Sequence, residues 1–430
     1  MFSSRKSIDK LLQLYKNEIR RHISKTTSVT NSDAMSPRLD QTPLYAQQNE
    51  DAGLPNRLLK LQKYHRYLST LTSQQMPLAA RGLAVSKDQS REFMACFPDI
   101  VRDLTESDKH LDVPEASKWL AKLLQYNVPN GKKNRGLATV LAYKMLEKSE
   151  NLTPENIHLA NIMGWCTEML QAYFLIMDDI MDSSSTRRGY PCWYRLPDVG
   201  MGAVNDCNLV QSAMYEILKV YCGKLPTYKD IVHLFNETLF NTAIGQHLDF
   251  TMGNRTKSDY SLFTRERYAA IVKYKTAYYT FKLPVFLGML LMNNMTQDTF
   301  DRAEKICLDL GHLFQMQDDF LDCYSPEHIL GKKGTDIQEG KCSWLAVEAL
   351  QRLTAAQRKV FTTCYGSHEP AHIERIKRLY EELELPQHYR AEERQRYDAI
   401  LKMTQQLPAD SGAMPELFLK LLAMLNERKK

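Results

Sequence analysis

Two segments of the 430-residue chain carry three carboxylates at one shared spacing. Asp178, Asp179 and Asp182 form one DDxxD; Asp318, Asp319 and Asp322 form another. In an α-helix, positions i and i+4 share a face, so Asp178 stands above Asp182 and Asp318 above Asp322. Each motif follows an apolar run, Ala172–Met177 or Leu308–Phe314, which predicts acids projecting from a buried helix into a cavity. Like charges gathered there are unfavourable unless cations compensate them. Oxygen-only ligands favour hard divalent ions, and magnesium commonly sits between carboxylates and substrate phosphates. A single DDxxD also fits a solvated acidic helix end. Two copies, each behind an apolar run, favour a metal site.

The matching cations are present. Val128–Gly136, VPNGKKNRG, places Lys132 and Arg135 just after a Pro/Gly turn where a helix is predicted to begin. Free backbone N–H groups and the helix dipole both favour an anion at such a place. Arg187 and Arg188, four small polar residues beyond the first motif, offer planar donors suited to phosphate oxygens. Lys275, Lys332 and Lys341 are further candidates. One basic turn by itself reads as solvated surface. In the company of two acidic clusters, these cations point to a metal-bridged diphosphate site.

The elements that must hold these residues read as helical. From about residue 86 the periodicity is that of helices almost throughout, with segments predicted at Leu137–Met145, Ile157–Met177, Ala203–Val220, Ile231–Phe250, Ala269–Met292, Thr299–Cys323 and Cys342–Leu353. Many are apolar around most of their circumference, which predicts an all-α fold, a large bundle with buried central helices around a cavity. Hydrophobic content of 43% and charged content of 25% are ordinary for a globular protein, and the net charge of +5 gives no reason to expect nucleic acid. The longest apolar run, Leu283–Met292, is too short to cross a bilayer as a helix. Nine cysteines without a CxxC pair imply reduced thiols.

Residues 1–80 read as an extension and 81–430 as the main domain. Ile8, Leu11, Leu12, Tyr15, Ile19 and Ile23 recur at helical spacing among seven basic residues, with Asp9 and Glu18 the only acids. A Ser/Thr-rich stretch follows, and residues from about 26 to 80 read as a linker. This fits a mitochondrial transit segment or a solvated tail, so the expected location is cytoplasmic or mitochondrial.

From residue 86 onward the chain resembles the trans-prenyl diphosphate synthases, most like the farnesyl diphosphate synthases of animals, insects among them. The resemblance is carried by GKKNRG, LQAYFLIMDDIMDSSSTRRGYPCWY, GQHLDF, YKTAYYTF, FQMQDDFLD and GKKGTDIQEGKCSWL, in that order. It implies three magnesium ions per site, held by Asp178, Asp179 and Asp182 and by Asp318, Asp319 and Asp322, with Asp318 the expected direct ligand of the second set. It implies that Arg187, Lys275 and Lys332 contact the allylic diphosphate. Lys341 is kept with them as a substrate-binding cation. Lys132, Arg135, Gln171 and Arg188 would form the isopentenyl diphosphate site. Thr276 and Gln315 would turn oxygens toward a developing carbocation, and Arg428, Lys429 and Lys430 match the tail that closes over the site. A homodimer is implied as well.

The implied reaction is condensation of isopentenyl diphosphate with dimethylallyl and geranyl diphosphates, giving farnesyl or geranyl diphosphate and pyrophosphate. The allylic C–O bond ionises, the isopentenyl double bond attacks, and the departing pyrophosphate takes the proton. Phe174 lies one turn, about 5.4 Å, down the helix face from Asp178. With Tyr173 it would floor a shallow pocket and keep the product short. Four positions depart from the farnesyl synthase pattern: Asn130 for Gly, Met177 for a small residue, His247 for a Thr-like residue, and Lys282 for an aromatic. They are expected to reshape the pocket, Lys282 by adding charge near the cavity helix. Two other readings compete. A terpene synthase on this scaffold would not need Lys132, Arg135, Gln171 and Arg188, and a regulatory subunit would not need all six aspartates.

Overall fold

The computed structural model describes residues 87–106, 112–255, 260–292, 295–326, 334–408, 411–412 and 414–427, side chains at 87, 254, 255 and 427 excepted. The expected extension over 1–80, Lys332 and the basic end at 428–430 lie outside the described residues.

The architecture is helical. In chain order the helices are α1 (Lys87–Thr105), α2 (Pro114–Asn127), α3 (Asn134–Leu146), α4 (Pro154–Met181), α5 (Ala203–Cys222), α6 (Tyr228–Arg255), α7 (Arg265–Val272), α8 (Leu283–Met292), α9 (Gln297–Tyr324), α10 (Asp336–Glu339), α11 (Trp344–Leu350), α12 (Ala355–Cys364), α13 (Pro370–Glu382), α14 (Leu385–Gln405) and α15 (Met414–Glu427). Between α4 and α5 a two-stranded hairpin pairs β1 (Thr186–Arg187) with β2 (Tyr190–Pro191). Among the described residues no helix is long and apolar enough to cross a membrane. All nine cysteines are buried and unpaired.

Helix α4 is the axis. Thr153 caps it by accepting the Asn156 N–H at 3.3 Å, and Pro154 occupies the first turn, where its missing N–H costs nothing. Residues 160–170 are buried around the whole circumference. Packed between α3 and α5, α4 therefore has no solvent face in its middle. Its C-terminal turn carries the first DDxxD. Thr296 caps α9 in the same way, and the second DDxxD lies in the last two turns of that helix.

The segment expected as one helix over Ala269–Met292 is interrupted. Lys273–Lys282 is a ten-residue π-helix joining α7 to α8. Long π-helical runs are rare and concentrate at functional sites. This one is gripped on two sides. A Cβ on Gly245 of α6 would lie 2.1 Å from the Lys275 backbone nitrogen, and one on Gly311 of α9 would lie 2.3 Å from the Ala277 Cβ. Only glycine permits so close an approach, and it lets both helices seat the segment that carries Lys275 and Thr276.

Candidate functional site

The C-terminal ends of α4 and α6, the π-segment, α9 and the loop before α11 enclose a cavity of about 640 Å³. Asp178, Asp182, Asp249, Lys275, Thr276, Gln315, Asp319 and Lys341 line it. Three carboxylates and two ammonium groups there form one network. Lys275 Nζ donates to Asp178 at 3.2 Å and to Asp249 at 2.5 Å. Lys341 Nζ donates to both Asp182 oxygens at 2.9 Å and to Asp249 at 3.1 Å. Gln246 adds an amide N–H to Asp178 at 2.9 Å.

The charges tune one another. Burial pushes the Asp178 carboxyl up, but Lys275, Lys341 and Arg187 outweigh it and hold that carboxyl far below the usual range. Asp249 follows the same logic: burial raises it, and Lys275 and Lys341 bring it down to about 2. Burial lowers Lys275 and Lys341, yet the surrounding aspartates keep both above the usual lysine value. Both lysines are therefore cations at neutral pH.

The hairpin separates the two adjacent arginines. Arg188 and Gly189 both have positive φ, 55° and 80°, as a two-residue type I′ turn requires. Arg187, on β1, turns to α4, where Nε lies 2.9 Å and Nη2 2.5 Å from Asp179 Oδ1, with Asp178 at 3.3 Å from Nη2. Arg188 turns the other way. Its guanidinium lies against Gly131 and donates to the Asn127 carbonyl at 3.2 Å, a carbonyl rather than a carboxylate. Burial draws its pKa down to about 10. A left-handed φ at a residue with a Cβ costs about 1 kcal/mol, a strain held at a charged, half-buried position.

Arg188 faces a second cluster. Arg135, in the first turn of α3, donates to Thr280 Oγ1 at 2.9 Å and to the Tyr279 hydroxyl at 2.9 Å, and stacks on the Tyr279 ring at 4.3 Å. With its amide oriented to satisfy both groups, Gln171 accepts from Arg135 at 2.8 Å and donates to Glu168 at 2.9 Å. The other Glu168 oxygen accepts the Gly136 N–H at 2.8 Å. Lys132 is exposed at the mouth of this loop.

The second triad divides. Asp319 is the member that lines the cavity, where it accepts from Tyr268 Oη, Gln315 Nε2 and the Trp344 N–H, each at 2.8 Å. Burial raises its carboxyl to about 7. Asp318 is half-buried, and Asp322 is buried with Oδ2 accepting the Asp336 N–H at 3.0 Å. Thr276 Oγ1 pairs with Gln315 Oε1 at 2.7 Å, which completes a chain from Thr276 through Gln315 to Asp319. Tyr173 and Phe174 pack edge to face at 4.9 Å, and Phe174 lies 6.1 Å from Tyr279.

Of the four departures, two point away from the cavity. Lys282 is buried in an ion-pair pocket between Glu237 of α6, at 2.9 Å, and Glu304 of α9, at 3.1 Å, so it adds no charge to the cavity. His247 is exposed. Asn130 donates to the Tyr126 carbonyl at 2.8 Å and so caps the end of α2. Met177 packs half-buried against the core. Sequence reasoning missed Gln246, Asp249 and Tyr268. The first two lie inside the GQHLDF motif, and their positions one turn apart on α6 are the signal that could have found them.

Among the described residues no three His, Cys, Asp or Glu side chains are gathered tightly enough to grip a metal ion. The donor chemistry nevertheless fits a hard divalent cation, because Asp178, Asp182, Asp249 and Asp319 offer only oxygen. Lys275, Lys341 and Arg187 neutralise the first three and Asp179.

A protein-family model described as polyprenyl synthetase matches residues 117–383. The chain is 46% identical over 353 residues to a farnesyl pyrophosphate synthase of Murgantia histrionica, covering 82% of this chain and 85% of that one. It is 41% identical over 347 residues to the farnesyl pyrophosphate synthase of Homo sapiens, covering 80% and 82%. Among solved structures, a T. brucei farnesyl diphosphate synthase complexed with risedronate superposes with a TM-score of 0.74 at 35% identity, covering 80% of this chain and all of that one.

The network has a pH signature. Asp249 sits below its ordinary 3.8 when folded, so its contribution is present above pH about 4 and fades as pH falls toward about 2. In the metal-free protein, Asp249→Asn is expected to cost roughly 2 kcal/mol at pH 6 and about half as much near pH 3. Urea melts at the two pH values check this; an equal loss at both would exclude the lysine pairs as its source.

Proposed function

From the polyprenyl synthetase family, to which this chain belongs, we infer a prenyltransferase that condenses isopentenyl diphosphate with dimethylallyl and geranyl diphosphates to give farnesyl diphosphate and pyrophosphate. The observation that carries this reading is the divergence of Arg187 and Arg188, which places one guanidinium beside each of two cationic clusters. Two diphosphates are then bound on opposite sides of one hairpin. Lys275, Lys341 and Arg187 form the allylic side. Arg135, Arg188, Gln171 and Lys132 form the isopentenyl side, which a terpene synthase would not need. Lys332 joins the allylic set on the strength of the motif alone.

Family membership implies a divalent metal cofactor, and the carboxylate set supports magnesium, three ions per site by the family's pattern. Asp178, Asp179 and Asp182, with Asp318, Asp319 and Asp322, would hold it, and Asp249 is an added candidate. When bound, magnesium supplies positive charge to the leaving diphosphate. On the protein's side, Lys275, Lys341 and Arg187 are held protonated and face the cavity before substrate arrives. They exchange carboxylate partners for diphosphate oxygens, so the charge that grows on the leaving group meets preorganised donors. The Thr276 hydroxyl donates a hydrogen bond to Gln315 Oε1, which leaves the Thr276 oxygen lone pairs available to the allylic cation. The isopentenyl double bond adds to that cation, and the proton lost goes to pyrophosphate, so no protein base is required. Water must be excluded while the cation lives.

Chain growth from Asp178 runs along α4 toward Phe174, whose contacts with Tyr173 and Tyr279 support its role as a floor. A homodimer is supported by apolar side chains left exposed on α5 and α6, Phe240 at 69% and Val220 at 62%. For location, the basic amphipathic stretch at 8–23 supports mitochondria, while Asp9 and Glu18 within it favour the cytoplasm.

Purified protein with magnesium, isopentenyl diphosphate and each allylic substrate is expected to form farnesyl diphosphate, and chelation is expected to stop it. Hydrocarbon or alcohol from an allylic substrate alone would replace this reading with a terpene synthase. Phe174→Ala combined with Tyr173→Ala is expected to lengthen the product; chromatography showing unchanged chain length would remove the floor. Light scattering is expected to give a dimer for the native chain and a monomer for Phe240→Glu. A fluorescent fusion to residues 1–80 decides the compartment, co-localising with mitochondria or staying diffuse.

A further inference from the structure

The hairpin that separates Arg187 from Arg188 is only four paired residues long, too short to hold its own geometry. Its stiffness has to come from the residues just beyond β2. Trp193, two residues past that strand, is buried, and its indole N–H donates to Asp206 Oδ2 at 2.8 Å. The other oxygen, Oδ1, accepts the indole N–H of Trp119 on α2, also at 2.8 Å. Asp206 lies in the first turn of α5 and is 3% exposed. The two indoles meet edge to face at 5.8 Å, and Lys122 lies over both, 4.9 and 5.6 Å from their centroids. A cation over an indole face polarises the N–H toward its acceptor. One buried carboxylate thus ties α2, α5 and the hairpin exit together.

From this anchor the geometry runs back to both arginines. Tyr194 Oη donates to the Ser184 carbonyl at 2.7 Å, and Arg195 Nη2 to the Ser183 carbonyl at 2.9 Å. The Cys192 N–H donates to the Ser185 carbonyl at 3.1 Å. Tyr126 of α2 donates to the Pro191 carbonyl at 2.7 Å and packs on Trp193 at 5.2 Å. Residues 192–195 therefore grip the loop at 183–185 that enters the hairpin, and Trp193 ties that grip to Asp206.

We propose that Asp206 is a positioning residue for both diphosphate sites, acting through the Trp193 indole to fix the strained turn that sends Arg187 and Arg188 in opposite directions. It touches no substrate. The inference rests on the two-diphosphate reading for its kinetic consequence, though not for its structural one.

Asp206→Asn keeps one acceptor oxygen but turns an NH2 group toward the other indole N–H, so one tie must break. Trp193→Phe breaks the hairpin tie alone, and Trp119→Phe breaks the α2 tie while leaving Trp193 on Asp206. Hydrogen exchange of peptides spanning 183–191 is expected to speed up in Asp206→Asn and Trp193→Phe and to match wild type in Trp119→Phe. The KM values for both isopentenyl and allylic diphosphate are expected to rise together, by about tenfold, in the first two variants and to stay within about twofold in Trp119→Phe. Native exchange at 183–191 in Trp193→Phe overturns the proposal. So does an equal KM rise in Trp119→Phe, because general loosening would then account for it. If Asp206→Asn does not fold, the comparison of the two tryptophan variants still decides. Exchange needs no turnover, so a wild-type protein that fails to condense substrates defeats the function alone.

Discussion

The constraint on which this structure depends is the gathering of four carboxylates at one cavity and its edge: Asp179 and Asp249 are buried, and Asp178 and Asp182 are half-buried. An isolated buried charge costs several kcal/mol, and breaking one partner of a buried pair leaves the other uncompensated. Lys275, Lys341 and Arg187 answer that cost, and each arrives from a different element: the π-segment, the loop before α11 and the hairpin. Folding must therefore bring α4, α6 and those three elements together before any of the charges is tolerable. The same cations are the ones a diphosphate and its metals would recruit. In the metal-free protein the acids and bases hold each other, and in the proposed function substrate binding is an exchange of partners rather than the burial of new charge.

Two local devices make that exchange geometric. One is the π-segment, seated where Gly245 and Gly311 leave room for backbone. It is packed against α6 and α9, which carry Asp249 and Asp319, and so brings Lys275 and Thr276 into the cavity lining. The other is the hairpin. Two consecutive arginines on a helix would point about 100° apart and share one solvent face. Placed on β1 and on a left-handed turn, they point to separate clusters, one carboxylate-rich and one built from Arg135, Gln171 and Glu168. The aromatic contact from Phe174 through Tyr279 to Arg135 then joins the proposed floor of the chain pocket to the proposed isopentenyl side.

The helical class, a helix over Ile157–Met177 and the two acidic motifs were legible in the chain itself, because each is a local property: apolar periodicity and an i, i+4 spacing. The role of Arg187 and Arg188 as a divided pair was legible as an expectation from motif resemblance, though not the turn that divides them. Tertiary packing decided the rest. Ala269–Met292 has the composition of one continuous helix, and nothing in its periodicity announces a π-segment fixed by glycines on two other helices. Lys282 follows Phe281 and reads as a charge beside the cavity, yet Glu237 and Glu304 bury it on the far side. Asp249 looks like an ordinary polar residue on α6 until Lys275 and Lys341 close on it. Lys341 meets Asp182 across 159 residues of chain. Which carboxylate each cation neutralises is a contact between distant segments, set by how the helices pack, and no local pattern encodes it.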